Sequence, residues 1–106
     1  SRIQITTVAD GYVASAATFL LLAGHRRYII QNCHVLIHQL STVAAGTFEN
    51  VKDEYKNCLS LMQSMKDIYS KETKLSEKKM KRLLRRELDL SSSQCIKHGI
   101  VHGFLP

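Results

Sequence analysis

Apolar and polar positions change rhythm several times along this chain. Residues 2–8 alternate β-branched and polar side chains, the period of a strand, and Asp10-Gly11 closes the run. Ala14 to Ala23 is almost wholly apolar and predicts a compact helix with Gly24 as its C′ stop. Tyr28-Ile-Ile30 and His34 to His38 read as two short strands around Gln31-Asn32-Cys33, and residues 40–47, small and containing Gly46, read as a flexible or extended connection.

Phe48, Val51, Tyr55, Leu59, Met62, Met65 and Tyr69 then recur at spacings of three and four, one stripe of a helix over about 48–73. At 1.5 Å per residue that helix is roughly 38 Å long. The rest of a 106-residue chain cannot cover it end to end, so its stripe is expected to project and pack on another subunit. Ser76 is placed to cap a second helix with Met80, Leu83 and Leu84 as its apolar positions. Ser91 followed by Gln94 is a capping-box pattern opening a third short helix that ends at Gly99, and Ile100 to Leu105 reads as a last strand. These elements make one small α/β domain.

Composition narrows the function classes. With 44% hydrophobic residues the chain can bury a modest core. The longest apolar run, Tyr12 to Gly24, is too short to span a bilayer, and the strand-like Ile3-Gln-Ile5 before it argues against a signal peptide. Three cysteines, odd in number and without CxxC spacing, suit reduced thiols in a cytoplasmic compartment. The chain starts at Ser1 almost directly on a strand-like run, which reads as a processed product or the C-terminal part of something longer.

A formal charge of +6 raises an acidic partner or nucleic acid. Much of it sits between Lys78 and Arg86, where no aromatic residue interleaves with the charges to stack bases, so nucleic acid is disfavoured. Cys95, His98 and His102 loosely mimic metal-ligand spacing, but Gly99 should end the helix between the two histidines and no fourth ligand is evident. Neither a metal nor any other cofactor is expected.

Two short segments carry the candidate chemistry. Gly11-Tyr-Val-Ala-Ser15-Ala-Ala-Thr places a serine among small residues at a strand-to-helix junction. A serine there can be an N-cap and nothing more, or its hydroxyl can use the helix dipole and nearby N–H groups to favour developing negative charge. Val35-Leu-Ile-His38-Gln39 places a histidine near the end of a buried-looking strand. Alone it is an ordinary core histidine; beside Ser15 it would be the base that a serine needs at neutral pH. A carboxylate must then hold the imidazole, and Glu87 and Asp89 are the candidates, although Glu87 also suits a surface pairing with its arginine neighbours.

Taken with the long helix after Gly46, the Arg-Glu-Leu-Asp-Leu-Ser run and His98-Gly99-Ile-Val, these segments resemble the ClpP family of self-compartmentalising serine peptidases, over nearly the whole chain. The resemblance implies a ClpP/crotonase-like α/β fold, of which residues 1–106 are the C-terminal portion and residues 43–73 the strand and helix of a handle through which rings stack. It implies Ser15 as nucleophile, His38 as base, Glu87 as third triad member and the Ala16 N–H as one side of the oxyanion hole. It implies peptide or unfolded-protein substrates, a homo- or hetero-oligomeric ring and an ATP-dependent unfoldase partner.

This chain departs from the family pattern in several places. Glutamate stands where the family has aspartate, with Asp89 as the rival if the local backbone is shifted. Leu40 replaces a proline often found after His-Gln, and His102 replaces the aspartate of the Gly-Ile/Leu-Val-Asp ending. The family's N-terminal half, with the Gly-Gly segment that completes the oxyanion hole, is not in this sequence, so the chain alone is not expected to be a competent peptidase. The alternative reading is a catalytically inactive subunit that helps build or regulate a ring.

Overall fold

The computed structural model describes residues 3–14, 16–87 and 89–106. Ser15 therefore lies outside the described residues, as does Arg2 at the start of the first expected strand. The chain runs β1 (Thr6–Ala9), β2 (Tyr12–Ala14), α1 (Ala16–Leu22), β3 (Arg26–Ile29), β4 (His34–Leu36), α2 (Phe48–Glu72), α3 (Glu77–Arg86), β5 (Asp89–Ser91), α4 (Ser92–Lys97) and β6 (Gly103–Phe104).

Two three-stranded sheets are filled in alternation. β1, β3 and β6 form one, all parallel; β2 and β4 pair in parallel in the other, where β5 joins β4 antiparallel. Each step from the first sheet to the second turns a tight corner. Gly11 makes one at φ +86°, and Asn32, a residue that tolerates the left-handed region, makes the other at φ +68°. β1–β2 and β3–β4 thus repeat one path, joined by α1. Ala9, Ile29, Val35, Ile37, Leu90, Cys95 and Ile100 form the interior, with Leu21 and Leu22 of α1 and Met80, Leu83 and Leu84 of α3 packed on it.

The helix ends follow local chemistry. Thr47, Ser76 and Ser91 each N-cap a helix through a side-chain oxygen, and Ser91 with Gln94 completes a capping box. Gly24 differs from expectation. It is not left-handed; a Cβ there would lie 2.3 Å from Thr7 Oγ1, and the space lets the Thr7 hydroxyl donate to the Leu21 carbonyl at 2.7 Å. Glycine stops α1 here by close approach, not by a positive φ.

Arg27 fastens three segments together. It is 5% exposed, and its Nη atoms donate to the carbonyls of Leu22 (3.1 Å), Glu72 (2.7 Å) and Gly99 (3.1 Å), at the ends of α1 and α2 and in the turn after α4. The Leu22 and Glu72 carbonyls end their helices and the Gly99 carbonyl lies outside α4, so none has an intrahelical partner, and a guanidinium meets all three with one fork.

The apolar stripe of α2 divides along its length. Tyr69 is buried and Met62 and Met65 are half-covered, whereas Phe48, Val51, Tyr55 and Leu59 are exposed. The radius of gyration is 15.4 Å, against about 13 Å for a compact chain of this length, and the long axis spans 53 Å. The first half of α2 projects from the body. Residues 43–47 before it carry no strand in the single chain.

Candidate functional site

β4 ends at Leu36, and the chain continues through the fully buried Ile37 to His38, which is half-buried. The segment is pinned on both sides of the histidine. Before it, the Thr18 hydroxyl of α1, itself fully buried, donates to the Leu36 carbonyl at 3.4 Å. After it, the Leu40 N–H lies 3.2 Å from the Met62 sulfur on α2.

These anchors bring Ala16, the first residue of α1, and His38 to the same pocket, a cavity of about 380 Å³. Phe19, Leu40, Met65 and Tyr69 supply its apolar wall. The Phe19 and Tyr69 rings pack tilted at 36° with centroids 5.3 Å apart. Burial pushes the Tyr69 phenol up to about 12, so it stays protonated at neutral pH.

The His38 ring has a defined role for one nitrogen. Nδ1 is 2.8 Å from the Gln39 carbonyl, which can only accept, so Nδ1 carries a hydrogen, and in the neutral ring the lone pair falls to Nε2. That is the tautomer a general base needs. No carboxylate among the described residues hydrogen-bonds this ring.

The two candidate acids are occupied differently. Asp89 pairs across the β4–β5 ladder with Leu36, and its carboxylate accepts from the Tyr12 hydroxyl at 3.4 Å. Partial desolvation of Tyr12 and the neighbouring Asp89 charge both raise that phenol's pKa. Glu87 is the C-cap of α3, left-handed at φ +54° and ψ +45°, with its N–H on the Leu83 carbonyl. It is exposed and forms no ion pair with Arg85 or Arg86, so the surface pairing open to it in the sequence is not made.

The structure therefore brings Ala16 and His38 together and leaves Glu87 and Asp89 on the chain that enters β5. Sequence reasoning missed Thr18, Phe19 and Tyr69 as parts of the site. For Thr18 the signal was present: it is the one hydroxyl within the apolar run 16–24.

The loose metal-like set serves other ends. Cys95 is buried with its thiol 3.8 Å from the Leu90 carbonyl, the His98 N–H caps α4, and His102 Nδ1 accepts the Arg27 backbone N–H at 3.0 Å. No group of three or more His, Cys, Asp or Glu side chains among the described residues is placed to hold a metal ion.

The chain as a whole is similar to known proteins. The family model described as Clp protease matches residues 1–105. A relative from Deinococcus radiodurans, named ATP-dependent Clp protease proteolytic subunit, is 29% identical over 102 residues, covering 94% of this chain and 50% of the relative. One from Arabidopsis thaliana, named ATP-dependent Clp protease proteolytic subunit 6, chloroplastic, is 30% identical over 104 residues, covering 96% of this chain and 38% of the relative. The chain thus spans half or less of the length of these curated relatives.

Proposed function

Because this chain belongs to the Clp protease family, we propose that it is the catalytic C-terminal part of a serine peptidase subunit of the ClpP type, working inside an oligomeric chamber. The observation that carries this reading is the shared pocket of Ala16 and His38, at the place where α1 starts and β4 runs out. In the proposed reaction Ser15 Oγ attacks the peptide carbonyl as its proton passes to His38 Nε2. His38 then gives that proton to the leaving amine, and water attacks the acyl-enzyme by the same route in reverse. The Ala16 N–H, at the positive end of α1, supplies one donor to the oxyanion.

Glu87 is the proposed orienting acid, and two observations support it. Running the Leu36–Asp89 pairing on by two positions in each chain would set Glu87 opposite His38. A non-glycine residue held left-handed costs on the order of 1–2 kcal/mol, and outliers of this kind gather at functional sites. Asp89, engaged by Tyr12, is the rival.

The substrate proposed is a peptide or unfolded protein, delivered by an ATP-dependent unfoldase in a reducing cytoplasm. The described residues fold as a small α/β body with short sheets, to which we assign a crotonase-like arrangement. No helix among them is long and apolar enough to cross a membrane. The exposed stripe of Phe48, Val51, Tyr55 and Leu59 is assigned to the contact between subunits, with residues 43–73 as the handle.

The assembled full-length product should hydrolyse fluorogenic peptides, and Ser15→Ala or His38→Ala should each abolish the activity. One observation favours the second reading, a non-catalytic ring subunit: His38 Nδ1 is satisfied by Gln39 and not by an acid. A correctly assembled ring with no hydrolysis would select that reading.

A further inference from the structure

α3 carries a surface that shares no residue with the lining of the Ala16–His38 pocket. Its buried face is Met80, Leu83 and Leu84. Its outer face is a continuous row of exposed cations, Lys78, Lys81, Arg82, Arg85 and Arg86, spaced so that all five lie along one side of the helix and line a shallow cleft of about 210 Å³. Lys78–Arg82, Lys81–Arg85 and Arg82–Arg86 are like-charge pairs one turn apart, each unfavourable to an isolated helix. The ion pair that offsets this repulsion is Lys81 with Glu77 at 3.3 Å, on the exposed surface. Glu87, next in the chain, forms no ion pair with the arginines.

We propose that this face is a docking surface for an acidic peptide segment of a partner protein. Cations rising along the helix in steps of about 4.5–6 Å match carboxylates presented one turn apart on an opposing segment. Three of the five are arginines, whose guanidinium forks take carboxylates in two parallel hydrogen bonds. Within these 106 residues the longest acidic run is Asp53-Glu54, too short to meet five cations, so the occupant proposed is a segment of a partner. A single-stranded nucleic acid fits less well: α3 has no aromatic side chain on which bases could stack. The row is also about 12 Å long, enough for a few phosphates only.

The test is fluorescence anisotropy of a labelled oligoglutamate peptide with the full native product, beside the triple variant Lys81→Gln, Arg82→Gln, Arg85→Gln. All three positions are exposed, so the variant keeps the fold, and unchanged circular dichroism checks that. The expected result is saturable binding that weakens at least about tenfold in the variant. It should also weaken as salt rises from about 0.1 to about 1 M, over which the screening length falls from about 10 to about 3 Å. No binding, or binding equal in the variant, overturns the proposal. Tighter binding of a random-sequence oligonucleotide than of the peptide overturns it in favour of nucleic acid. Peptide hydrolysis is not the readout, so this result is independent of whether Ser15 is active.

Discussion

The Thr18 hydroxyl donates to the carbonyl of Leu36 at 3.4 Å, tying the first turn of α1 to the last residue of β4. His38 stands two residues beyond that carbonyl and Ala16 two residues before that threonine, so this bond is the anchor that ties the two halves of the pocket directly. Thr18→Val keeps the shape and removes the donor. It should cost about 1 kcal/mol of stability, and the misplacement should slow serine labelling between about ten- and a hundredfold. Thermal unfolding and labelling rates of the same preparations check both.

Glu87 gives a prediction in which stability and activity move in opposite directions. Glycine carries no penalty in the left-handed region, so Glu87→Gly should stabilise the end of α3 by about 1 kcal/mol while lowering hydrolysis sharply. Asp89→Asn should leave hydrolysis near wild type. If Asp89→Asn is the more damaging of the two, the acid has been misassigned.

Removing Arg27 should be the most destabilising single change among these. Arg27→Met would leave the carbonyls of Leu22, Glu72 and Gly99 without their shared donor, at a cost of at least about 3 kcal/mol. Arg27→Lys should recover little, since one ammonium cannot reach three diverging acceptors. Denaturant midpoints measure both.

Acid should loosen the strand that closes the first sheet. His102 Nδ1 accepts the Arg27 N–H while the His102 N–H donates to the Arg27 carbonyl, so the ring must be neutral at Nδ1. Desolvation, with the Arg27 and Lys74 charges, lowers the His102 pKa below its ordinary value. The folded state then binds fewer protons than the unfolded one. Stability is full above about pH 6.5, the unfolded value, and falls as pH drops below it. His98, lowered by desolvation and by Lys79 and Lys97, adds in the same direction. His102→Asn, which keeps an acceptor but does not titrate, should flatten part of the pH dependence of the unfolding midpoint.

The helices were legible because each is bounded by its own chemistry. Ser76 and Ser91 sit where their capping hydrogen bonds form, and the three-four stripe from Phe48 to Tyr69 marks α2 to within a residue of its observed ends. The strands were less so. β2 and β5 have three residues each, Tyr12–Ala14 and Asp89–Ser91, too short for alternation to register, and pairing with β4 alone makes them strands. The candidate site was readable as residue types in order. Its walls were not, because Phe19 and Tyr69 lie 50 positions apart and meet only once α2 folds back on α1.

The central claim is that Ser15 is a nucleophile activated by His38. Its most direct test is intact-mass analysis of the complete native product after treatment with a fluorophosphonate, alongside Ser15→Ala and His38→Ala. The wild type should take a single adduct per subunit, Ser15→Ala none, and labelling of His38→Ala should be slowed by orders of magnitude. An assembled wild-type ring that takes up no adduct, or an adduct that survives in Ser15→Ala, would contradict it.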